Sequence, residues 1–432
     1  MRKVLIITYY WPPSGSAGVQ RWLKITKYLR AFGWEPVIYT PANAEFPMID
    51  ESLLKDVPEN LTVIKQPIWE PYQLYRKLLG KKDNESVNQG FISKEKKPSA
   101  LEKFSIWIRG NLFIPDARKF WIKPSVKFLT QYLKEHPVDV IISNGPPHSL
   151  HLIVLAIKKR QPIPWIADFR DPWTEVDFYD QLLLSKFADK KHHRLELSVL
   201  KNADRVTTVT WSWAASMEKI SGRKVDVILN GFDTDDFKHE DAAMLDGFLF
   251  HHIGALNKDR NPHVFWEVLK EISEENAGFK NDLKIQLTGN TDYSVIESLK
   301  KNNLYQQLIL VDYLPHAEVV KLLSRSPVLL LPLNDTPNIS GIVPGKLYEY
   351  LAAKRPIFAI GKTDGDTAKI IHETNAGVIA GFKDKDQMKK MILEYYQKYK
   401  EGKLLVDSKN TEQFSRRGSA EKFSKLLNEI AK

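Results

Sequence analysis

No cysteine occurs in the 432 residues of the chain. That removes disulfides and thiolate metal sites and fits a reducing compartment. Long apolar runs are missing too, and nothing approaches the ~20 residues a membrane helix needs. The start, Met1-Arg2-Lys3 followed by Val4 to Thr8 and then Tyr9-Tyr10-Trp11-Pro12-Pro13, has too short an apolar stretch for a secretory signal and no small-residue cleavage site. The expectation is a buried first strand and a protein that is soluble or peripheral at a membrane. Metal ligands are sparse. His192-His193 and His251-His252 are adjacent pairs, which in a strand face opposite ways. His148 and His151 can share a helical face, but without an evident carboxylate partner. Asp364-Gly365-Asp366 and Asp384-Lys385-Asp386 are explained by turns and helix caps. The expectation is no metal and no cofactor.

What the chain has in excess is positive charge, +10 overall. Between Trp69 and Lys134 fourteen Lys/Arg face six Asp/Glu, interleaved with eleven aromatics. Such a segment suits nucleic acid, anionic lipid or a phosphorylated acceptor, or is a solvated insertion whose aromatics are core.

Short apolar runs alternate with helical stretches in two successive series. The first holds the strand Val4–Ile7, a Pro/Gly/Ser loop, a helix from Val19 to Phe32 ended by Gly33, and strands at 36–39, 138–142, 164–167 and 205–209. The second holds strands at 248–253, 283–287, 308–311, 328–331 and 356–360, with helices over 262–272 and 346–353. This pattern predicts an α/β protein of two tandem doubly wound units. The boundary is expected in the polar stretch Asp233 to Asp246. Tyr72 to Ala117, with its run Lys94-Glu95-Lys96-Lys97, breaks the rhythm and reads as an insertion.

Loop 12–18, Pro-Pro-Ser-Gly-Ser-Ala-Gly, offers a phosphate close backbone approach and a helix start, through Gly15, Ser16 and Gly18. It lacks the spacing of a dinucleotide fingerprint. The stronger signal is Pro344-Gly345-Lys346-Leu347-Tyr348-Glu349-Tyr350-Leu351-Ala352-Ala353, followed by Lys354-Arg355-Pro356-Ile357. Here the sequence resembles glycosyltransferase family 4 and its GT-B relatives (glycosyl transferases group 1). Ile228-Leu229-Asn230-Gly231-Phe232-Asp233, Gly254 to Asn261, Leu287-Thr288-Gly289, Tyr313-Leu314-Pro315 and Ser326 to Pro332 resemble further motifs in the same order. Phe414 to Ile430 resembles the terminal helix that returns to the first domain.

The resemblance implies a GT-B fold, two Rossmann-like domains facing a central cleft. The first is expected over 1–235, with an insertion at about 70–120 and completion by 414–432, and the second over 245–412. It implies a metal-independent, hexosyltransferase-like enzyme, with retention of anomeric configuration, in cell-surface polysaccharide or glycolipid synthesis. Glu349 falls where the family grips the donor ribose, a task an ionised carboxylate suits because it accepts two hydrogen bonds. The donor set implied is Gly18, Gly254, Arg260, Thr288, Gly341, Ile342, Val343, Lys346, Leu347 and Glu349. Arg260 and Lys346 are the cations expected to stabilise the departing phosphate. Gly15, Ser16, Arg170 and Asp171 are expected on the acceptor side, with Asp171 orienting a hydroxyl. Two departures stand out. The family's first glutamate, eight before Glu349, is Gly341, and an arginine common after the strand-ending glycine is Ala255.

The partners implied are a nucleotide-sugar donor, which is a substrate, a carbohydrate or lipid-linked acceptor and an anionic membrane surface at the cytoplasmic face, with no nucleic acid. Two rivals share the fold: a non-catalytic nucleotide-sugar-binding or scaffold protein, and a nucleotide-sugar 2-epimerase.

Overall fold

The computed structural model describes residues 1–15, 17–46, 48–71, 100–237 and 243–431. The chain forms two compact units, Met1–Leu229 with Arg416–Lys432, and Asn230–Ser415. The division lies just upstream of the polar stretch expected to hold it. The reason is local: Phe232 N–H bonds the Phe414 carbonyl at 3.0 Å, and a side chain at Gly231 would collide with that same oxygen. Residues 230–233 are thereby fastened to the end of the second unit.

In the first unit a seven-stranded sheet runs in the order β3-β2-β1-β4-β5-β6-β7. The strands are β1 (Arg2–Ile7), β2 (Trp34–Pro41), β3 (Thr62–Gln66), β4 (Val140–Gly145), β5 (Trp165–Phe169), β6 (Arg205–Thr208) and β7 (Asp226–Val227). All pairings are parallel, so each interior strand needs cover on both faces. Alternation along β1 provides it: Leu5 and Ile7 join one core with Trp121 and Trp165, whereas Val4 and Ile6 join another with Trp22 and Phe423. Helix Ala17–Leu29 and the short turn after it end at Gly33, whose φ of 83° is a left-handed cap that glycine adopts without steric cost. The terminal helix Arg416–Ile430 packs on helix Ala17–Leu29, with Phe423 4.8 Å from Trp22.

One aromatic of the basic segment, Trp121, is buried and stacks on Tyr39 at 5.0 Å. Arg118 is buried as well, paired with Glu70 at 3.0 Å. Part of the expected insertion is an ordered helix, Ala100–Leu112, while 72–99 lie outside the described residues.

A buried ion pair ties the first unit's layers. Asp168 in β5 accepts from two Arg21 nitrogens, Nε and NH2, at 2.9 Å each, from the Trp22 indole N–H at 2.9 Å and from the Thr207 hydroxyl at 2.8 Å. With so many donors, the carboxylate's desolvation is offset at every lone pair.

The second unit repeats the topology with six parallel strands, β10-β9-β8-β11-β12-β13. These are β8 (Phe248–Ile253), β9 (Leu283–Thr288), β10 (Leu308–Val311), β11 (Val328–Pro332), β12 (Ile357–Ile360) and β13 (Gly377–Ala380). In both sheets the strand order reverses beside the first strand, at β1/β4 and β8/β11. Open α/β sheets receive ligands at the carboxyl ends of strands at such a switch point.

Replacing Asp168 with Ala should cost the first unit about 3–5 kcal/mol, because Arg21 is left charged and buried. Denaturant melts check this, and the double change Arg21→Met/Asp168→Leu should recover most of the loss.

Candidate functional site

The switch point of the second unit is floored by glycine. Gly254, ending β8, has φ 99°, and Gly289, ending β9, has φ 106°. A side chain on Gly289 would sit 3.3 Å from Gly254's backbone, so the two turns pack chain against chain. Over this floor comes helix Gly345–Ala353, whose N-terminal turn has no side-chain cap and presents a positive dipole end. Lys346 Nζ lies 3.1 Å from the position a Gly254 Cβ would take.

Two cations meet here, neither of them ion-paired to a carboxylate among the described residues. Arg260 is held by the Asn334 side chain, Nε to Oδ1 at 2.7 Å, and Lys346 by the ring of His252, Nζ to Nε2 at 3.2 Å. Among the described residues neither forms a salt bridge. Burial chiefly, and then the nearby Arg260 charge, lower the Lys346 pKa to about 7, against a smaller pull from Glu349. Burial also lowers that of Arg260. Glu349, one turn along the helix, is part-exposed, and its Oε1 lies 3.4 Å from His316 Nε2. Gly254, Arg260, Lys346 and Glu349 are therefore brought together.

The remaining donor-side residues contribute backbone or nothing free. The Thr288 hydroxyl is occupied inside the sheet by His251 Nε2 at 2.8 Å, and the Leu347 side chain is fully buried. Gly341, Ile342 and Val343 carry no polar side chain, so only their backbone is open to a donor. Gly341 and Ile342 N–H groups already close a tight turn onto Asn338 and Ile339 carbonyls at 3.1 Å each. Among the described residues, only Val343 of the three makes no such turn bond.

On the first unit, Arg170 and Asp171 follow β5 and bond each other, with NH2 to Oδ2 at 2.8 Å. Gly18 lies beneath them: a Cβ there would be 2.5 Å from Arg170 NH1. Gly15 serves structure, its N–H bonding the Met48 carbonyl at 2.9 Å. Ser16 lies outside the described residues. Asp168, two residues before Arg170, belongs to the core.

Sequence reasoning passed over His252, Asn334 and His316. The adjacent pair His251-His252 was the available signal, and its rings do part. His251 turns to Ser326 and Thr288, His252 to Leu330 and Lys346. Among the described residues no group of three or more metal-ligating side chains occurs.

Residues 92–236 match the model of Glycosyltransferase Family 4, and residues 233–415 that of glycosyl transferases group 1. The two matches run together from 92 to 415 and include every residue of the cation cluster. The chain belongs to the GT-B glycosyltransferases. Its chemistry is accordingly glycosyl transfer. The fold of this glycosyltransferase is similar to that of sucrose-phosphate synthase from Thermosynechococcus elongatus, at 12% identity over 100% of this chain and 99% of that one, with TM-score 0.59. It is similar also to S. aureus TarM in complex with UDP and alpha-GlcNAc-glycerol, at 10% identity over 99% and 100% of the chains, TM-score 0.57. WaaG, a glycosyltransferase involved in lipopolysaccharide biosynthesis, matches at 11% identity over 98% and 99%, TM-score 0.53. Among curated proteins none matches in sequence.

Lys346→Met should stabilise the unliganded glycosyltransferase, because it removes a half-buried, partly desolvated charge that no salt bridge compensates. The lysine's folded pKa is depressed, from 10.5 to about 7. The destabilisation is therefore full below pH 7 and fades as pH rises towards 10.5. Calorimetric melting at pH 6.5 should show a rise of roughly 2–8 °C in the second unit's transition. The rise should shrink by pH 9, and a fall at both pH values would contradict the assignment.

Proposed function

We propose that the protein transfers a hexose from a nucleoside diphosphate sugar to a carbohydrate or lipid-linked acceptor in cell-surface polysaccharide or glycolipid synthesis, with retention and without a metal. The observation that carries this is the pair Arg260 and Lys346, two cations without a carboxylate partner, beside a helix start and above two glycines. In the reaction the bond from the anomeric carbon to the phosphate oxygen breaks, and its electrons leave with the nucleoside diphosphate. The acceptor hydroxyl forms the new bond on the face being vacated, and its proton passes to the departing phosphate oxygen. Charge grows on that oxygen toward the transition state, where fixed cations and N–H groups lower the barrier. Glu349 receives the ribose hydroxyls, and Asp171, which gives Arg170 a single oxygen, Oδ2, orients an acceptor hydroxyl with the other.

Gly341 in place of a carboxylate favours a second reading, a binder of nucleotide sugars that does not turn them over. One assay separates the two. UDP- and GDP-sugars with a radiolabelled sugar are incubated with the protein, EDTA and a membrane extract from its own source. Label should enter the lipid-extractable or polysaccharide fraction. Donor binding without transfer supports the second reading, and transfer abolished by EDTA but rescued by magnesium or manganese overturns the metal-free chemistry.

The membrane expectation has support within the first unit. Phe104 and Trp107 are exposed and stacked at 6.3 Å on helix Ala100–Leu112, which also bears Lys103 and Arg109. Lys119 Nζ lies over Phe113 and Phe120 at 5.6 and 5.1 Å. No helix among the described residues is long and apolar enough to cross a membrane, so binding would be at the interface, where aromatic rings and basic residues both favour it. Flotation with anionic vesicles at low salt should recover the protein and release it at high salt. Equal recovery with neutral vesicles would refute the electrostatic part.

A further inference from the structure

A lysine near a helix start normally ranges through many rotamers, and Lys346 has a reason not to. Its Nζ is 3.2 Å from Nε2 of His252, a fully buried ring in β8. The other ring nitrogen, Nδ1, lies 3.1 Å from the Leu330 carbonyl in the neighbouring strand β11. A carbonyl oxygen only accepts, so Nδ1 carries the proton and Nε2 presents a lone pair. The alternative partner of Nε2, the Ala255 carbonyl, is farther away at 3.4 Å and would require the opposite tautomer. Burial first, then the charges of Lys346 and Arg260, hold the ring neutral by pushing its pKa well below the usual value. The charged and titratable groups around Lys346 are thus His252 from β8, Arg260 from the loop after it and Glu349 from its own helix, with His316 of helix His316–Arg325 beyond Glu349.

We propose that His252 is a positioning residue: its Nε2 lone pair fixes the Lys346 ammonium above Gly254, at the place where the phosphates of a nucleoside diphosphate would lie. The inference rests on the reading of this pocket as the donor's diphosphate site. One ammonium hydrogen goes to the ring, and two remain for phosphate oxygens. The sheet itself, through Leu330, sets the direction of the lone pair, so the lysine's tip is aligned by β11 although it grows from a helix. Removal of the acceptor leaves an ammonium beside Arg260 with nothing buried to bond, and it then sheds its proton or swings away.

Two variants test this. In His252→Leu the lone pair is gone; in His252→Gln the Oε1 atom can occupy the place of Nε2. Heteronuclear NMR of labelled lysine in the unliganded protein follows the Lys346 amine, with Lys346→Met supplying its assignment. His252→Leu should shift the amine's titration midpoint downward, and His252→Gln should return it towards wild type. In calorimetry with UDP and GDP, His252→Leu should weaken binding roughly 10- to 100-fold, His252→Gln should restore most of it, and His252→Leu should add nothing in a Lys346→Met background. An unmoved Lys346 midpoint in folded His252→Leu protein overturns the proposal. So does equal damage by Leu and Gln, or an undiminished His252→Leu effect without Lys346. If wild type binds neither nucleotide, the diphosphate reading fails, and the NMR titration still decides whether His252 holds Lys346.

Discussion

Two half-buried positive charges, Arg260 and Lys346, without a salt bridge among the described residues, organise the second unit's site. Coulomb repulsion between Arg260 and Lys346 is felt strongly where water is scarce, and a folded protein ordinarily relieves it with a carboxylate. Here the hydrogen-bond partners are a neutral ring and a side-chain amide, and Glu349, one turn along the helix, exerts only a smaller pull on Lys346. The two partners orient the cations without neutralising them. The glycines beneath leave room for a ligand's own charge to come close. Such an arrangement costs stability in the empty protein and is relieved by a polyanion, which stabilises the state that binds it.

The first unit solves the same problem the other way. Arg21 is as buried as any charged group in the chain, yet Asp168 meets it with two hydrogen bonds and is itself met by Trp22 and Thr207. That pair is closed and structural, and its strength lies in having no capacity left over. Arg170 and Asp171, a few residues on, are intermediate: bonded to one another, but partly exposed and with Gly18 underneath. Burial alone therefore does not mark a functional charge.

Much of the fold was legible because interior strands of a parallel sheet are short apolar runs, and Val4–Ile7, 248–253 and 328–331 announce themselves. The strands that the sequence concealed lie at sheet edges. β3 is half-exposed and reads Thr-Val-Ile-Lys-Gln, β7 has two residues, and β13 begins with Gly377, whose Cβ position is blocked by the Ile357 carbonyl. Edge position weakens the apolar signal on which periodicity depends. In the site, Arg260, Lys346 and Glu349 were legible through motif spacing. His252 was not, because a buried histidine gives no sign in sequence of which nitrogen is free. For Trp121 and Arg118 the composition of a basic, aromatic segment leaves surface and core equally open, and Tyr39 and Glu70 claim both for the core.

In the proposed reading, Lys346 takes a proton from the buffer as a nucleoside diphosphate supplies its counter-ion. Calorimetry of UDP and GDP binding at pH 8, repeated in buffers of differing ionisation enthalpy, measures the protons exchanged. With the free amine titrating at about 7, the protein should take up close to one proton per nucleotide bound, and Lys346→Met should take up almost none. Tight binding with no proton uptake, or the same uptake in Lys346→Met, would contradict it.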